Sequence, residues 1–190
     1  MEFSEKELED LIFKGLEQDF ERLSDQGFPV PVNPTFYRQV KLGDYGIVDI
    51  LGIGRDEKTD KLEIYLYELK RDSIGAAQIP QVTKYMGGIL NWLGDKYTID
   101  EDYFIYGILM APIFESFLSW FIDPRITFYS VGFDAFEGLV FTKHSYSAYT
   151  DHECNTVKIK IPEIANEVSS EGITEGITEG ITEGEDAKKE

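Results

Sequence analysis

The chain has little of what several common classes of protein depend on. It holds one cysteine, Cys154, so no disulfide can form within it, and a reducing, cytoplasmic setting is the expectation. Two histidines, His144 and His152, leave little material for a histidine-based catalytic triad. No apolar run approaches the ~20 residues that a membrane span needs. The opening MEFSEKELED is too acidic for a secretory signal, so neither a membrane nor an export route is expected. Bases are scarce as well: 18 Lys and Arg stand against 36 Asp and Glu, for a net charge of −18. That balance counts against tight, non-specific binding of nucleic acid, which calls for a basic surface.

What is present suffices for one substantial core. The 190 residues are 42% hydrophobic and 14% aromatic, which suggests one domain over 1–161 followed by a tail over 162–190. In that tail Glu171-Gly172-Ile173-Thr174 recurs at Glu175–Thr178 and again at Glu179–Thr182. A Gly-rich acidic repeat without aromatics buries too little surface to offset the entropy of ordering, so a disordered tail is expected. Removing it does not change the sign of the balance, because Met1–Ile161 still carries 27 acids against 16 bases.

Ser4 followed by Glu7 makes a capping box for a first helix over roughly Glu5–Leu23, with Leu8, Leu11, Ile12, Leu16 and Phe20 on its core face. Three prolines between Gly27 and Pro34 forbid helix there and lead into a strand near Phe36–Lys41. Two strands, around Asp49 and around Glu68, flank a polar turn at Arg55–Lys61 and predict a hairpin. A helix is expected between Ser73 and Leu93, with Pro80 near its start. Further strands are expected at 103–110, 126–131, 139–141 and, more weakly, 156–161, and a short amphipathic helix over Ile113–Phe121. Strands alternating with helices after a hairpin indicate an α/β fold, a mixed sheet with helices on both faces.

Three charged residues stand where these strands would be buried. In Ile64-Tyr65-Leu66-Tyr67-Glu68-Leu69-Lys70 the period of two puts Glu68 and Lys70 on one face, and Asp49 interrupts the apolar run Gly46–Ile53. A buried carboxylate and ammonium are costly unless they are paired or hold a metal. Two carboxylates brought together repel unless a cation lies between them, and a hard divalent ion such as Mg²⁺ satisfies both demands. A structural ion pair is the plain alternative for these three residues taken alone. Gln81 and Tyr85 add a polar pair one helical turn apart.

Taken in order, a helix Glu, Asp49, Glu68-Leu69-Lys70 and Gln81-x-x-x-Tyr85 resemble the PD-(D/E)xK nuclease superfamily. Gly46-Ile47-Val48-Asp49, Glu68-Leu69-Lys70-Arg71, Ser4-Glu5 with Leu11-Ile12-Phe13, and Gly107–Pro112 are similar to the catalytic domain of the NucS endonuclease family. The resemblance covers roughly residues 4–131. It implies a restriction-endonuclease-like fold and a Mg²⁺-dependent deoxyribonuclease, with Mn²⁺ as a substitute ion. On the same basis Asp49, Glu68 and the carbonyl of Leu69 would hold the metal, and Lys70 would orient the attacking water or contact the phosphate. Glu5 matches the helix carboxylate, with Glu9 as the substitute one turn later. Gln81 would meet phosphate or nucleophile with Tyr85 beside it, and Gln78 competes with Gln81 because Pro80 intervenes. The implied partner is DNA, with branched and single-stranded forms among the candidates. A second copy of the chain, or a partner protein supplying DNA binding, would answer the acidic charge. Mismatch specificity is not carried over, since 190 residues leave no room for the N-terminal DNA-binding domain of NucS.

The remaining candidates read more simply. Asp151-His152-Glu153-Cys154 lacks any zinc-site spacing and reads as a polar loop, and Gly52-x-Gly54 reads as turn chemistry. Trp92, Trp120, Phe117 and Phe121 read as core or a dimer surface, while Arg38, Lys41, Arg71 and Lys84 flank the charged strands and could meet phosphates. The main rival to the nuclease is a catalytically inactive nuclease-fold subunit serving as a binding module. An acidic DNA mimic is the third reading.

Overall fold

The computed structural model describes residues 4–94, 102–114, 123–134 and 138–144, together with the backbone of 156–159. The first helix, α1 (Glu5–Asp25), opens on the expected capping box. The Glu7 N–H donates to Ser4 Oγ at 3.2 Å, and the Glu7 carboxylate accepts from the Ser4 N–H at 2.8 Å. Leu8, Ile12 and Leu16 are buried on one stripe, as the 3.6-residue period requires. The helix kinks at Asp19, whose backbone leaves helical geometry and whose carboxylate pairs with Arg22.

Seven strands form the main sheet: β1 (Thr35–Lys41), β2 (Ile47–Arg55), β3 (Leu62–Leu69), β5 (Tyr103–Ala111), β7 (Ile126–Asp134), β8 (Gly138–His144) and β9 (Thr156–Ile159), neighbours in that order. The pairs β3–β5 and β5–β7 are parallel and the rest antiparallel, so the sheet is mixed. Two short strands, β4 (Ser73–Ile74) and β6 (Ile113–Phe114), pair with each other in parallel. The second helix, α2 (Gln78–Leu93), follows β4. This is the α/β, restriction-endonuclease-like arrangement expected, a mixed sheet with a helix on each face.

Each face has its own core. Beneath α1, Leu8, Ile12 and Leu16 meet Ile50, Tyr67, Leu69, Ile108, Met110 and Phe141. Beneath α2, Val82, Tyr85, Met86 and Ile89 meet Val48, Leu51, Leu66, Leu109 and Phe128. Gly107 on β5 permits the close approach of α2, because a Cβ there would lie 2.7 Å from Val82 Cγ2. Among the described residues no helix is long and apolar enough to cross a membrane.

Two expectations change. Ile113 and Phe114 belong to a strand, because their backbone groups pair with Ser73 and Ile74 rather than with a following turn; the rest of the expected helix lies outside the described residues. Trp92 is 51% exposed and is not core, since α2 turns Ile89 and Leu93 toward the sheet instead. Asp151–Cys154, the aromatics at 117, 120 and 121, and the repeat tail also lie outside the described residues.

Candidate metal-binding and active site

The site begins where two strands part. The β2–β3 ladder runs in register from Arg55–Leu62 to Ile50–Tyr67 and stops, whereas β3 stays paired with β5 as far as Leu69–Met110. Asp49 and Glu68 are the first residues beyond the last rung. In place of a ladder bond, the Leu69 N–H donates to Asp49 Oδ2 at 2.8 Å. A side-chain carboxylate therefore satisfies a backbone donor that the departing strand has abandoned, as buried backbone groups require.

The neighbouring strand shares the irregularity. Gln39 has φ +49°, the left-handed region that a non-glycine residue seldom enters. Its paired neighbours are Arg38–Ile50 and Val40–Val48, so Gln39 lies opposite Asp49. The alternation of faces breaks in both strands at this level. Tyr37 and Val40 pack toward the α2 core, as do Val48 and Leu51, while Phe36 and Ile50 pack toward the α1 core.

Glu68 is almost wholly buried. Its Oε1 accepts from Lys70 Nζ at 2.6 Å and from Gln81 Nε2 at 2.7 Å. Its Oε2 is the one buried side-chain polar atom among the described residues with no hydrogen-bond partner. Burial, then the charge of Asp49, pushes the Glu68 carboxyl up to about 7 against the opposing pull of Lys70. Asp49 is also raised, by burial first, although the Leu69 N–H and Lys70 act the other way. Burial would lower Lys70, yet its hydrogen bond and charge pairing with Glu68 outweigh this and hold its pKa above the ordinary value. Lys70 Nζ also donates to the Leu69 carbonyl at 3.0 Å.

The two helices contribute from opposite faces. From α2, Gln81 Nε2 also reaches Tyr85 Oη at 2.6 Å. One carboxylate and one phenol thus take both protons of the Gln81 amide. The Tyr85 ring rests against Gly46, where a Cβ would lie 2.7 Å from Tyr85 Cε1 and where φ is +117°. Pro80 falls in the first turn of α2, where backbone N–H groups have no intrahelical acceptor, so the spacing from Gln81 to Tyr85 is undisturbed. Gln78 turns away, its Oε1 accepting from the Gly75 N–H at 2.9 Å.

From α1 come Glu5 and Glu9, with different environments. Glu5 is half-exposed; its Oε1 is 3.8 Å from Lys70 Nζ and its Oε2 accepts from the Arg71 N–H at 3.2 Å. Glu9 is buried and fully engaged. Arg38 Nη2 lies 2.8 Å from Glu9 Oε1, and Gln39 Nε2 lies 2.7 Å from Glu9 Oε2. Arg38 also pairs with Asp10 at 2.5 Å and stacks over the Phe13 ring, so it is committed to α1 rather than free for a phosphate. Gln39 escaped notice in the sequence, since Tyr37-Arg38-Gln39-Val40 shows nothing but an ordinary edge strand.

The donor set fits a hard cation. No three His, Cys, Asp or Glu side chains among the described residues converge as a metal cluster. The fit rests instead on two carboxylates and a main-chain carbonyl, all oxygen donors suited to Mg²⁺ or Mn²⁺, with one buried carboxylate oxygen bare.

No family model matches the chain, and no curated protein does. Among solved structures it is similar to the crystal structure of a repair endonuclease from Pyrococcus abyssi, at 26% identity over 61% of this chain and 41% of that one, with a TM-score of 0.37. It is similar also to the structure of an EndoMS–dsDNA complex, at 26% identity over 57% of this chain and 37% of that one, with a TM-score of 0.35. The chain spans about two fifths of the length of the structures it matches.

Proposed function

We propose that this chain is a metal-dependent DNA nuclease that hydrolyses phosphodiester bonds, with Asp49, Glu68 and the Leu69 carbonyl as the seat of Mg²⁺ and Mn²⁺ as the substitute. The observation that carries the reading is Glu68 Oε2, buried and without a partner at a point where Asp49 raises the cost of ionisation. A buried anion left bare is unfavourable by several kcal/mol, and a cation shared with Asp49 removes that penalty. Lys70 alone does not, because its ammonium sits on the other oxygen of Glu68. When bound, the metal supplies Lewis-acid activation of water and stabilises charge developing on the scissile phosphate.

The protein's own groups then divide the work. The pairing of Lys70 with Glu68 raises its pKa and favours the ammonium, a hydrogen-bond donor and a positive charge. From beside Glu68 it can orient the attacking water or neutralise a phosphate oxygen. Gln81 spends both amide protons on Glu68 and Tyr85, which holds the Glu68 carboxylate in one orientation. The Tyr85 hydroxyl accepts from Gln81 and keeps its own proton to donate to a phosphate. Glu5, half-exposed at the rim near Lys70, is placed to hold a water or a second ion.

DNA is the substrate class that the resemblance to the PD-(D/E)xK nucleases implies, and double-stranded, branched and single-stranded forms are to be compared directly. The exposed bases Lys41 and Lys84, with Arg71 paired to Asp72, give the acidic domain few phosphate contacts. A second copy of the chain or a partner protein would supply the rest. The test is cleavage of labelled single-stranded, double-stranded and branched DNA in Mg²⁺, Mn²⁺ or EDTA, beside Asp49→Ala and Lys70→Ala. Cutting that needs the metal and is lost in both variants is expected. A folded wild type that cuts nothing in either metal overturns the enzyme and leaves the binding-module reading.

A further inference from the structure

The geometry points to Gln39 as a positioning residue that aims the Asp49 carboxylate at the metal, an inference that rests on the metal site proposed above. Gln39 lies on the edge strand β1 and is exposed. Its left-handed backbone, φ +49°, which a glycine or asparagine would adopt with less strain, lets Val40 turn into the α2 core, and it also sets the direction of the Gln39 side chain. What that conformation achieves is visible in the hydrogen bonds. It turns the side chain inward on the same side as Arg38, so that one amide group spans two carboxylates: Nε2 donates to Glu9 Oε2 at 2.7 Å and to Asp49 Oδ1 at 3.3 Å.

Those bonds complete an alignment of Asp49 from two sides. Its Oδ2 is held by the Leu69 N–H and its Oδ1 by Gln39. Glu9 anchors the amide and is itself clamped by Arg38, so the orientation of Gln39 traces back to buried groups on α1. Without the amide, Asp49 would face the carboxylate of Glu9 with no donor between, and it would be free to rotate about its Leu69 bond. Backbone strain kept at an exposed residue beside a charged site is the pattern expected when the strained conformation serves the site. Groups that orient metal ligands commonly carry a 10–100-fold share of metal affinity.

The test measures Mn²⁺ binding by calorimetry together with thermal unfolding, for wild type, Gln39→Gly, Gln39→Asn and Asp49→Ala. Glycine accepts φ +49° without strain but leaves the buried Glu9 Oε2 without its donor, so Gln39→Gly is expected to stay folded and to melt only a few degrees below the wild type. It should nevertheless bind Mn²⁺ about 10–100-fold more weakly. Asparagine suits the same backbone but is one methylene shorter and cannot span both carboxylates, so Gln39→Asn should weaken binding too. Wild-type affinity in Gln39→Gly overturns the assignment while leaving the metal site standing. A Gln39→Gly protein that melts far lower assigns the residue to the fold instead and overturns it equally. Absence of Mn²⁺ binding in the wild type, or binding unchanged in Asp49→Ala, removes the metal site and this inference together.

Discussion

The two ends of the β2–β3 pair are built from the same kind of sequence and do opposite things. From Arg55–Leu62 to Ile50–Tyr67 the strands are zipped, their backbone groups satisfy each other, and Leu51, Ile64 and Leu66 fill the core under α2. One step further the ladder ends, Asp49 takes over the Leu69 N–H, and the gap is filled by Asp49, Glu68 and Lys70. Of the two, only the second end holds a buried charge, Glu68, because there the strand has withdrawn. Apolar packing is concentrated at the zipped end, and the proposed chemistry at the forked end, at some expense of stability.

The sharpest way to break this comparison is to remove the forked end's charges. Asp49→Ala or Lys70→Ala should lower metal-dependent cleavage by about 1,000-fold, with circular dichroism unchanged; residual activity near wild type in either variant would separate the site from the chemistry. At the zipped end, Leu66→Ala removes a fully buried side chain and should lower the unfolding free energy by about 2–5 kcal/mol in urea. Its cleavage should retain the wild-type metal requirement.

Glu68→Gln should do the reverse of Leu66→Ala. The fold raises the Glu68 carboxyl from 4.5 to about 7, so its protonated form is the one the fold favours. That contribution is complete below about pH 4.5 and is lost as pH rises through about 7. At pH 8 in EDTA the neutral amide should therefore be more stable than wild type by on the order of 2–3 kcal/mol. The gain should shrink toward pH 5 and cleavage should be abolished; a gain independent of pH would trace to something other than this ionisation. The smallest effect belongs outside both ends: Trp92→Ser, at an exposed position of α2, should shift stability by less than about 0.5 kcal/mol.

Much of this was legible along the chain because local rules act locally. Ser4 and Glu7 announce the start of α1, and Leu8, Ile12 and Leu16 declare its buried stripe by spacing alone. The alternation of Ile64, Leu66 and Glu68 with Tyr65, Tyr67 and Leu69 places the first three toward α2 and marks Glu68 as buried. Ile113–Phe114 misled because two apolar residues fit a helix as well as a strand, and only the backbone of Ser73–Ile74 beside them decides. Trp92 misled because hydrophobicity by itself does not say which side of α2 meets the sheet.

The chain on its own determined the two helices, the strands of the main sheet, their order and the identity of the charged residues on the central strands, since these follow from periodicity, capping and the cost of burying charge. The tertiary structure decided where the ladder ends, that Glu9 is closed off by Arg38 while Glu5 stays open, and that Gln39 reaches Asp49 at all. The reason is that each of these depends on groups meeting across separate elements. A left-handed residue in an edge strand, or a carboxylate replacing a rung, leaves no period in the sequence and exists only once the strands and α1 have been brought together.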